Sequence, residues 1–383
     1  MKSTRLNFAA FAAALMLAAC GGGDSGIAFS SMVSFGDSLS DAGTYKVGTI
    51  AALGGGQWTV NSPSARNWTE LVAPEVRTAA PCPAQTGLLV NIPGFQGAPV
   101  TNHPGCTDYA QGSARVSNPF SLNSATLQAP PFNQVNLGLM AMPLATQMAT
   151  HLANVGGSYS GSEVVTVMTG GNDLFMHLGG IASAAAGGPP AIAAAVAAGW
   201  SPEVQSTVAR GGEAAAAAAV SAATTGMAQA GAELATLIKE QVLAKGARYV
   251  VVLNLPDVSQ SPFGMSVDAQ SRGLIAGLVM TFNAQLQAGL AGTPVLLLDA
   301  FALSQDHKAH PAKYGITNTT TPACSTTSPA NPLQGSSLAC TAASTVAPDT
   351  SGYLYADDVH PTPLGHQLYA RFVIDQMRSA GWL

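Results

Sequence analysis

The sequence is poor in charged and aromatic residues. Of its 383 residues, 9% are Asp, Glu, Lys or Arg, and 6% are Phe, Trp or Tyr. The formal net charge of −5 argues against the strongly basic surface that nucleic-acid binding requires. The hydrophobic fraction of 47% argues against a disordered chain and is typical of an exported globular protein. We expect no membrane-spanning helix beyond the N-terminal region.

Metal-binding spacing is also missing. The five cysteines contain no C-x-x-C pair and have no histidine partner at zinc-site spacing, so we expect no metal. Four cysteines lie beyond Cys20, and four cysteines allow three pairings. We favour the two local bonds, Cys82–Cys106 and Cys324–Cys340. Each would close a loop rich in Pro, Gly, Ser and Thr, in the oxidising compartment that export implies.

The N-terminus has the features of a targeting segment. Lys2 and Arg5 precede an apolar run over residues 8–17. This run is too short to span a bilayer and is typical of a signal peptide. We predict that residues 1–19 are the signal peptide.

The end of that segment, Leu17-Ala18-Ala19-Cys20, resembles the lipobox of bacterial lipoproteins. The resemblance implies cleavage before Cys20, lipidation of Cys20 and a flexible tether over residues 20–30. We expect an outer-membrane lipoprotein whose membrane contact is the lipid anchor alone. The alternative is an ordinary periplasmic or secreted protein in which this cysteine occurs by chance.

Strands and long helices alternate along the rest of the chain. β-branched and apolar runs predict strands, and apolar residues at helical spacing predict the helices between them. This alternation predicts an α/β fold, a three-layer α/β/α sandwich around a parallel sheet, as one domain over residues 31–383. The predicted strands are 32–35, 163–168, 248–255 and 294–300, and the main helices are 212–245, 267–290 and 363–380.

Two long irregular stretches interrupt this pattern. Residues 54–105 and 304–351 are too long for plain connections, and each contains cysteine. The first either lines a substrate cleft or is a disulfide-tied surface insertion. The second is an insertion that could act as a lid or a binding element.

The first chemically informative motif follows the first predicted strand. Gly36-Asp37-Ser38 forms a turn directly after the apolar run, and Ser38 therefore lies at the carboxyl edge of the sheet. Open α/β folds place their ligands at this edge. A serine hydroxyl there is a candidate nucleophile if the chain supplies a base and donors for an oxyanion.

The donors and the base come from three later stretches. A glycine turn at Gly112 exposes backbone N–H groups, and Asn172 follows another strand and can aim its amide at the same edge. Asp357 precedes His360 by three residues, a spacing at which the carboxylate can accept from Nδ1 and leave Nε2 free to take the serine proton. Asp358 is the competing carboxylate, and we favour Asp357.

Taken together, these motifs resemble the four sequence blocks of the GDSL, or SGNH, hydrolases. The second block departs from the family, because Asp108 stands where asparagine is usual and Gly112-Ser113 where two glycines are common. The blocks, in order, are Phe35–Asp41, Asp108–Ala114, Gly170–Asp173 and Asp357–Thr362.

The resemblance implies a flavodoxin-like SGNH fold and a role for each matching residue. Ser38 corresponds to the nucleophile and, through its backbone N–H, to one oxyanion donor. Gly112 and Asn172 correspond to the other two donors. His360 corresponds to the general base, and Asp357 to the carboxylate that orients it.

The implied activity is serine ester hydrolysis through an acyl-enzyme on Ser38. The implied substrate is a small-molecule or lipid ester, the protein needs no cofactor, and we expect a monomer. One alternative is a phospholipase or acyltransferase of the same family. The other is a non-catalytic lipoprotein that binds lipids or glycans, which the intact set of motif residues disfavours.

Overall fold

The computed structural model describes residues 26–383, so the predicted signal peptide and the predicted lipidation at Cys20 lie outside the described residues. A parallel four-stranded sheet forms the centre, and a separate antiparallel hairpin lies in the first insertion. The sheet order is β1-β4-β5-β6, and the hairpin is β2-β3. The strands are β1 Met32–Gly36, β2 Gln85–Leu88, β3 Ala98–Asn102, β4 Val164–Met168, β5 Tyr249–Leu253 and β6 Leu296–Leu298.

Helices connect the strands of the central sheet. The sequence predicts the long helices near the C-terminus closely, but the helix predicted over 212–245 passes into a π-helical turn at Ile238–Leu243. The helices are α1 Gly48–Ala52, α2 Trp68–Val72, α3 Leu144–Asn154, α4 Gly171–Ala184, α5 Gly188–Ala198, α6 Pro202–Val208, α7 Gly212–Leu237, α8 Pro262–Ser266, α9 Ala269–Leu290, α10 Ala300–Ala309 and α11 Pro363–Ser379.

Alternate residues of the strands face opposite helix layers. In β1, Val33 and Phe35 belong to the larger core, which is formed with α3, α4, α7 and α9. Met32 belongs to a second core, formed with α2 and α11. This alternation buries both faces of the sheet, as a parallel sheet requires. The predicted three-layer α/β/α architecture is confirmed.

The second sequence block lies along the free edge of β1. Ser34 N–H donates to Thr107 O at 2.9 Å, and Tyr109 N–H donates to Ser34 O at 2.8 Å. Gln111 N–H then donates to Gly36 O at 3.2 Å. These bonds bring the turn at Gly112 beside the end of β1, where Ser38 lies.

Both insertions contain a disulfide bond. Cys82 and Cys106 are joined at the base of the β2-β3 hairpin, and Cys324 and Cys340 are joined within the second insertion. These are the two local pairings that we favoured from the sequence. The hairpin itself was not predicted, because Pro99 and the many glycines of this stretch indicate a loop.

Helix α9 corrects one expectation. By length and composition it is apolar enough to cross a membrane, whereas the sequence analysis expected no such segment. In the structure it packs along α7 and buries Leu278, Phe282 and Leu286 in the larger core. Part of its apolar surface, 33% of the most apolar stretch, is therefore buried by packing.

A histidine is enclosed by aromatic rings in the larger core. The rings of Phe35, Tyr109 and Tyr159 lie with their centroids 5.6, 5.3 and 4.8 Å from that of His151. Neither ring nitrogen of His151 has a hydrogen-bond partner among the described residues. Burial lowers the pKa of His151 from 6.5 to about 4, against the opposing charge of Glu163.

We expect His151→Phe to stabilise the protein, and to stabilise it more at acid pH. The folded-state pKa of His151 lies below that of the unfolded chain, so the unfolded state binds the extra proton and stability falls between about pH 6.5 and 4. Phenylalanine removes this loss and two unsatisfied buried nitrogens. Circular-dichroism melting should show a higher Tm at pH 7 and a larger increase at pH 5. His151→Gln also removes the titration but keeps polar atoms in the pocket. Its change in Tm should therefore also become more favourable from pH 7 to pH 5, but without the full gain of the phenylalanine variant at pH 7. An increase in Tm that shrinks at pH 5 would contradict this account.

Candidate active site

The candidate nucleophile follows directly from the end of β1. The chain turns tightly there, and a side chain at Gly36 would overlap the carbonyl oxygen of Met168 in β4, so only glycine fits. Ser38 is 8% exposed. Its neighbour Asp37 accepts a hydrogen bond from Leu39 N–H, and burial raises the pKa of Asp37 to about 7.

Ser38, His360 and Asp357 form one hydrogen-bonded series. His360 Nε2 lies 2.8 Å from Ser38 Oγ, and His360 Nδ1 lies 2.8 Å from each carboxylate oxygen of Asp357. Asp357 Oδ1 also accepts the backbone N–H groups of Val359 and His360, which closes a tight turn. The three-residue spacing therefore folds the imidazole back onto its carboxylate, as the sequence predicts.

The surroundings of Asp357 favour its charged form. Burial alone would raise the pKa of Asp357, but the charge of His360 and the hydrogen bonds from His360 and Ser337 hold it well below the usual range. Asp358 has no hydrogen bond to His360 among the described residues. The carboxylate that contacts the imidazole is thus Asp357.

An indole ring supports the imidazole. Trp58, from the first insertion, lies with its ring centroid 4.8 Å from that of His360. The ring also packs so closely on Gly112 that a Cβ atom there would overlap the indole. The sequence does not indicate this role for Trp58, because no periodicity links it to the motif residues.

One asparagine links the two insertions behind the site. The Asn61 side-chain amide donates to Thr59 O, Ser337 O and Cys340 O at 2.9–3.1 Å. Ser337 N–H in turn donates to Asp357 Oδ2 at 2.9 Å. The second insertion therefore contacts the candidate catalytic carboxylate directly, which the sequence analysis did not foresee.

Asn172 lies at the start of α4, after β4 and the left-handed Gly170, as predicted. Its Nδ2 donates to Ala114 O at 2.9 Å and holds a second hydrogen for another acceptor. The side chain is 8% exposed and lines the same cavity as Ser38. Asn172 can therefore donate to an oxygen atom at the serine.

The position of Gly112 contradicts its predicted role. Its N–H donates to Asp41 Oδ2 at 2.9 Å, so this donor is already occupied. The next residue, Ser113, adopts a left-handed conformation with φ of 66° and lines the cavity. Among the described residues, the N–H groups of Ser38 and Ser113 have no hydrogen-bond acceptor. The free amide of the second block is therefore that of Ser113.

A cavity of about 450 Å³ opens onto Ser38. Apolar side chains form one wall, and the second insertion forms another. Among the lining residues are Met168, Phe175, Leu255, Val258 and Phe263 on the apolar wall, and Thr326, Leu333, Gln334, Gly335 and Ser336 from the insertion.

No group of three or more His, Cys, Asp or Glu side chains within residues 26–383 is arranged to hold a metal ion.

A serine, a histidine and an aspartate in hydrogen-bonded series at the carboxyl edge of a parallel sheet are the constellation of serine hydrolases. Within that class, the chain belongs to the family described as GDSL-like Lipase/Acylhydrolase, whose model matches residues 32–373.

Individual relatives match only part of the chain. It is 30% identical over 148 residues to a GDSL esterase/lipase of Arabidopsis thaliana, an alignment that covers 35% of this chain and 38% of that protein. It is 33% identical over 146 residues to esterase EstA of Pseudomonas aeruginosa, which covers 36% and 20%. The matched segments thus span less than half of either relative. The solved structure of an extracellular lipase from Streptomyces rimosus covers 91% of this chain and 99% of its own, with a TM-score of 0.38 and 15% identity.

Proposed function

We propose that the protein is a carboxylic ester hydrolase that acts through an acyl-enzyme on Ser38. The observation that carries the proposal is the hydrogen-bonded series of Ser38, His360 and Asp357 at the wall of the 450 Å³ cavity. Membership of the GDSL-like lipase/acylhydrolase family supports ester chemistry in general.

In the first step, Ser38 Oγ attacks the ester carbonyl while His360 Nε2 takes the serine proton. The resulting oxyanion accepts hydrogen bonds from the Ser38 and Ser113 N–H groups and from Asn172 Nδ2. The tetrahedral intermediate then collapses. Its bond to the alcohol oxygen breaks, and His360 gives its proton to the departing alkoxide.

In the second step, water attacks the acyl-serine carbonyl and gives a proton to His360. The bond to Ser38 Oγ breaks, that oxygen regains the proton, and the carboxylic acid leaves. Asp357 stays ionised throughout and stabilises the imidazolium that forms during both acylation and deacylation. An alcohol in place of water would complete an acyl transfer by the same steps, and this is the alternative function.

We also propose that the protein is exported as a monomer and anchored through lipid on Cys20. The two disulfide bonds support an oxidising compartment. The lipobox-like sequence supports the anchor.

The test is hydrolysis of p-nitrophenyl esters from acetate to palmitate by the purified protein, beside Ser38→Ala. We expect turnover with the wild type and none above background with the variant. The chain length with the highest kcat/KM would separate a short-ester enzyme from a lipase. Release of p-nitrophenol that is equal in the two proteins would refute the proposal. Adding glycerol and analysing the products would distinguish transfer from hydrolysis.

A further inference from the structure

The ionisable side chains that line the cavity are all acidic, apart from the imidazole of His360. They are the carboxylates of Asp37, Asp357 and Asp358, and no described lysine or arginine lines the cavity. Asp37 and Asp357 are enclosed below Ser38 and beside His360, where they hydrogen-bond to the protein. Asp358 differs, because it is exposed on the rim and its carboxylate has no hydrogen-bond or ion-pair partner within residues 26–383.

Arg115, the arginine closest in sequence to the motif residues, does not neutralise the carboxylates of the cavity. Arg115 is buried and pairs with Asp173 at 2.9 Å. Its other nitrogens donate to the carbonyl oxygens of Phe120, Ala197 and Ala198. Each of its three nitrogens thus bonds within the protein, and Arg115 does not line the cavity.

The backbone of Asp358 is hydrogen-bonded to one of the two phenylalanines of the cavity. Its carbonyl oxygen accepts Phe263 N–H at 3.0 Å, and the Phe263 ring meets the Phe175 ring edge-on at a centroid distance of 5.4 Å. Both rings line the cavity. His360 delivers the proton to the departing alcohol, and Asp358, two residues before it, lines the same cavity, so the alcohol half of the ester is assigned to this side.

We propose that this site selects esters by the charge of their alcohol, preferring cationic alcohols to neutral ones of the same shape and disfavouring anionic ones. Asp358 is the residue that sets the preference. The proposal rests on the proposed esterase function. A carboxylate attracts a quaternary ammonium and repels a sulfonate, and aromatic rings such as those of Phe175 and Phe263 in the cavity lining attract cations as well.

The experiment uses three butyrate esters that differ in the charge of the alcohol. Choline butyrate is the cation, 3,3-dimethylbutyl butyrate is its neutral isostere, and 3-sulfopropyl butyrate is the anion. Acid release is followed in a pH-stat at low ionic strength. We expect kcat/KM for the choline ester to exceed that for the isostere by roughly fivefold, and the sulfopropyl ester to fall below it by at least as much. Salt at 0.5 M should compress both ratios.

Asp358→Asn should lower the ratio of kcat/KM for choline butyrate to kcat/KM for its neutral isostere, because it removes the negative charge at this position. Asp375→Asn, a matched change at an exposed carboxylate of α11 outside the cavity, should leave the ratio unchanged. Equal kcat/KM for the choline ester and its isostere, or a ratio that Asp358→Asn does not lower, would overturn the charge proposal. The esterase function is judged separately, because its failure would remove hydrolysis of the neutral isostere as well.

Discussion

Replacing Asp357 by asparagine is expected to lower kcat for ester hydrolysis by about 10⁴-fold, with little change in KM. Both carboxylate oxygens of Asp357 lie 2.8 Å from His360 Nδ1, so they hold a proton on that nitrogen and leave Nε2 to receive the serine proton. An asparagine amide that donates to Nδ1 would favour the opposite tautomer and would not balance the imidazolium. Stopped-flow or steady-state release of p-nitrophenol from a neutral ester measures the loss.

Two carboxylate-to-amide variants serve as controls for this loss. Asp358→Asn, at the neighbouring aspartate, should reduce the rate for the same neutral ester by less than about tenfold, because its carboxylate does not contact His360. Asp375→Asn, far from the cavity, should have no effect. A larger loss at Asp358 than at Asp357 would show that the orienting carboxylate has been misassigned.

The second large effect is expected at Asn172. Asn172→Ala should lower kcat by about 10²- to 10³-fold, because it removes a donor whose partner gains charge only in the transition state. KM should change little, since a ground-state carbonyl oxygen gains less from the same hydrogen bond. The buried position at the start of α4 makes the donor pre-organised, because Nδ2 is already held by Ala114 O at 2.9 Å.

Asn172→Asp provides the matched control. It has the same shape but offers a negative oxygen in place of the N–H, so its loss in kcat should equal or exceed that of the alanine variant. Thermal melting would show whether either variant has lost its fold. A folded Asn172→Ala protein with wild-type kcat and a raised KM would assign the side chain to substrate binding and remove it from the oxyanion site.

The motif residues were predictable because a parallel sheet brings the carboxyl ends of its strands to one edge. Ser38 and Asn172 follow β1 and β4, which are hydrogen-bonded neighbours. His360 and Asp357 lie within one tight turn, so their contact is local. Those positions require a parallel sheet and a tight turn, and the sequence patterns predict both.

The supporting contacts were not predictable, because they arise from irregular loops. Trp58 and Asn61 come from the first insertion and Ser337 from the second, and each acts through a contact made by tertiary packing. The choice between the Gly112 and Ser113 amides depends on one backbone dihedral angle and on the Asp41 carboxylate. A pattern of residue types gives neither that angle nor the hydrogen-bond partner of the Gly112 amide.

The most direct test of the account is to identify the residue that becomes covalently modified. The protein would be treated with a p-nitrophenyl alkylphosphonate, which traps an activated serine, and then examined by intact and peptide mass spectrometry. We predict one adduct per chain, located on Ser38, absent from Ser38→Ala and formed far more slowly by His360→Ala. An adduct on another residue, or continued ester hydrolysis by a protein fully modified at Ser38, would contradict the acyl-enzyme mechanism.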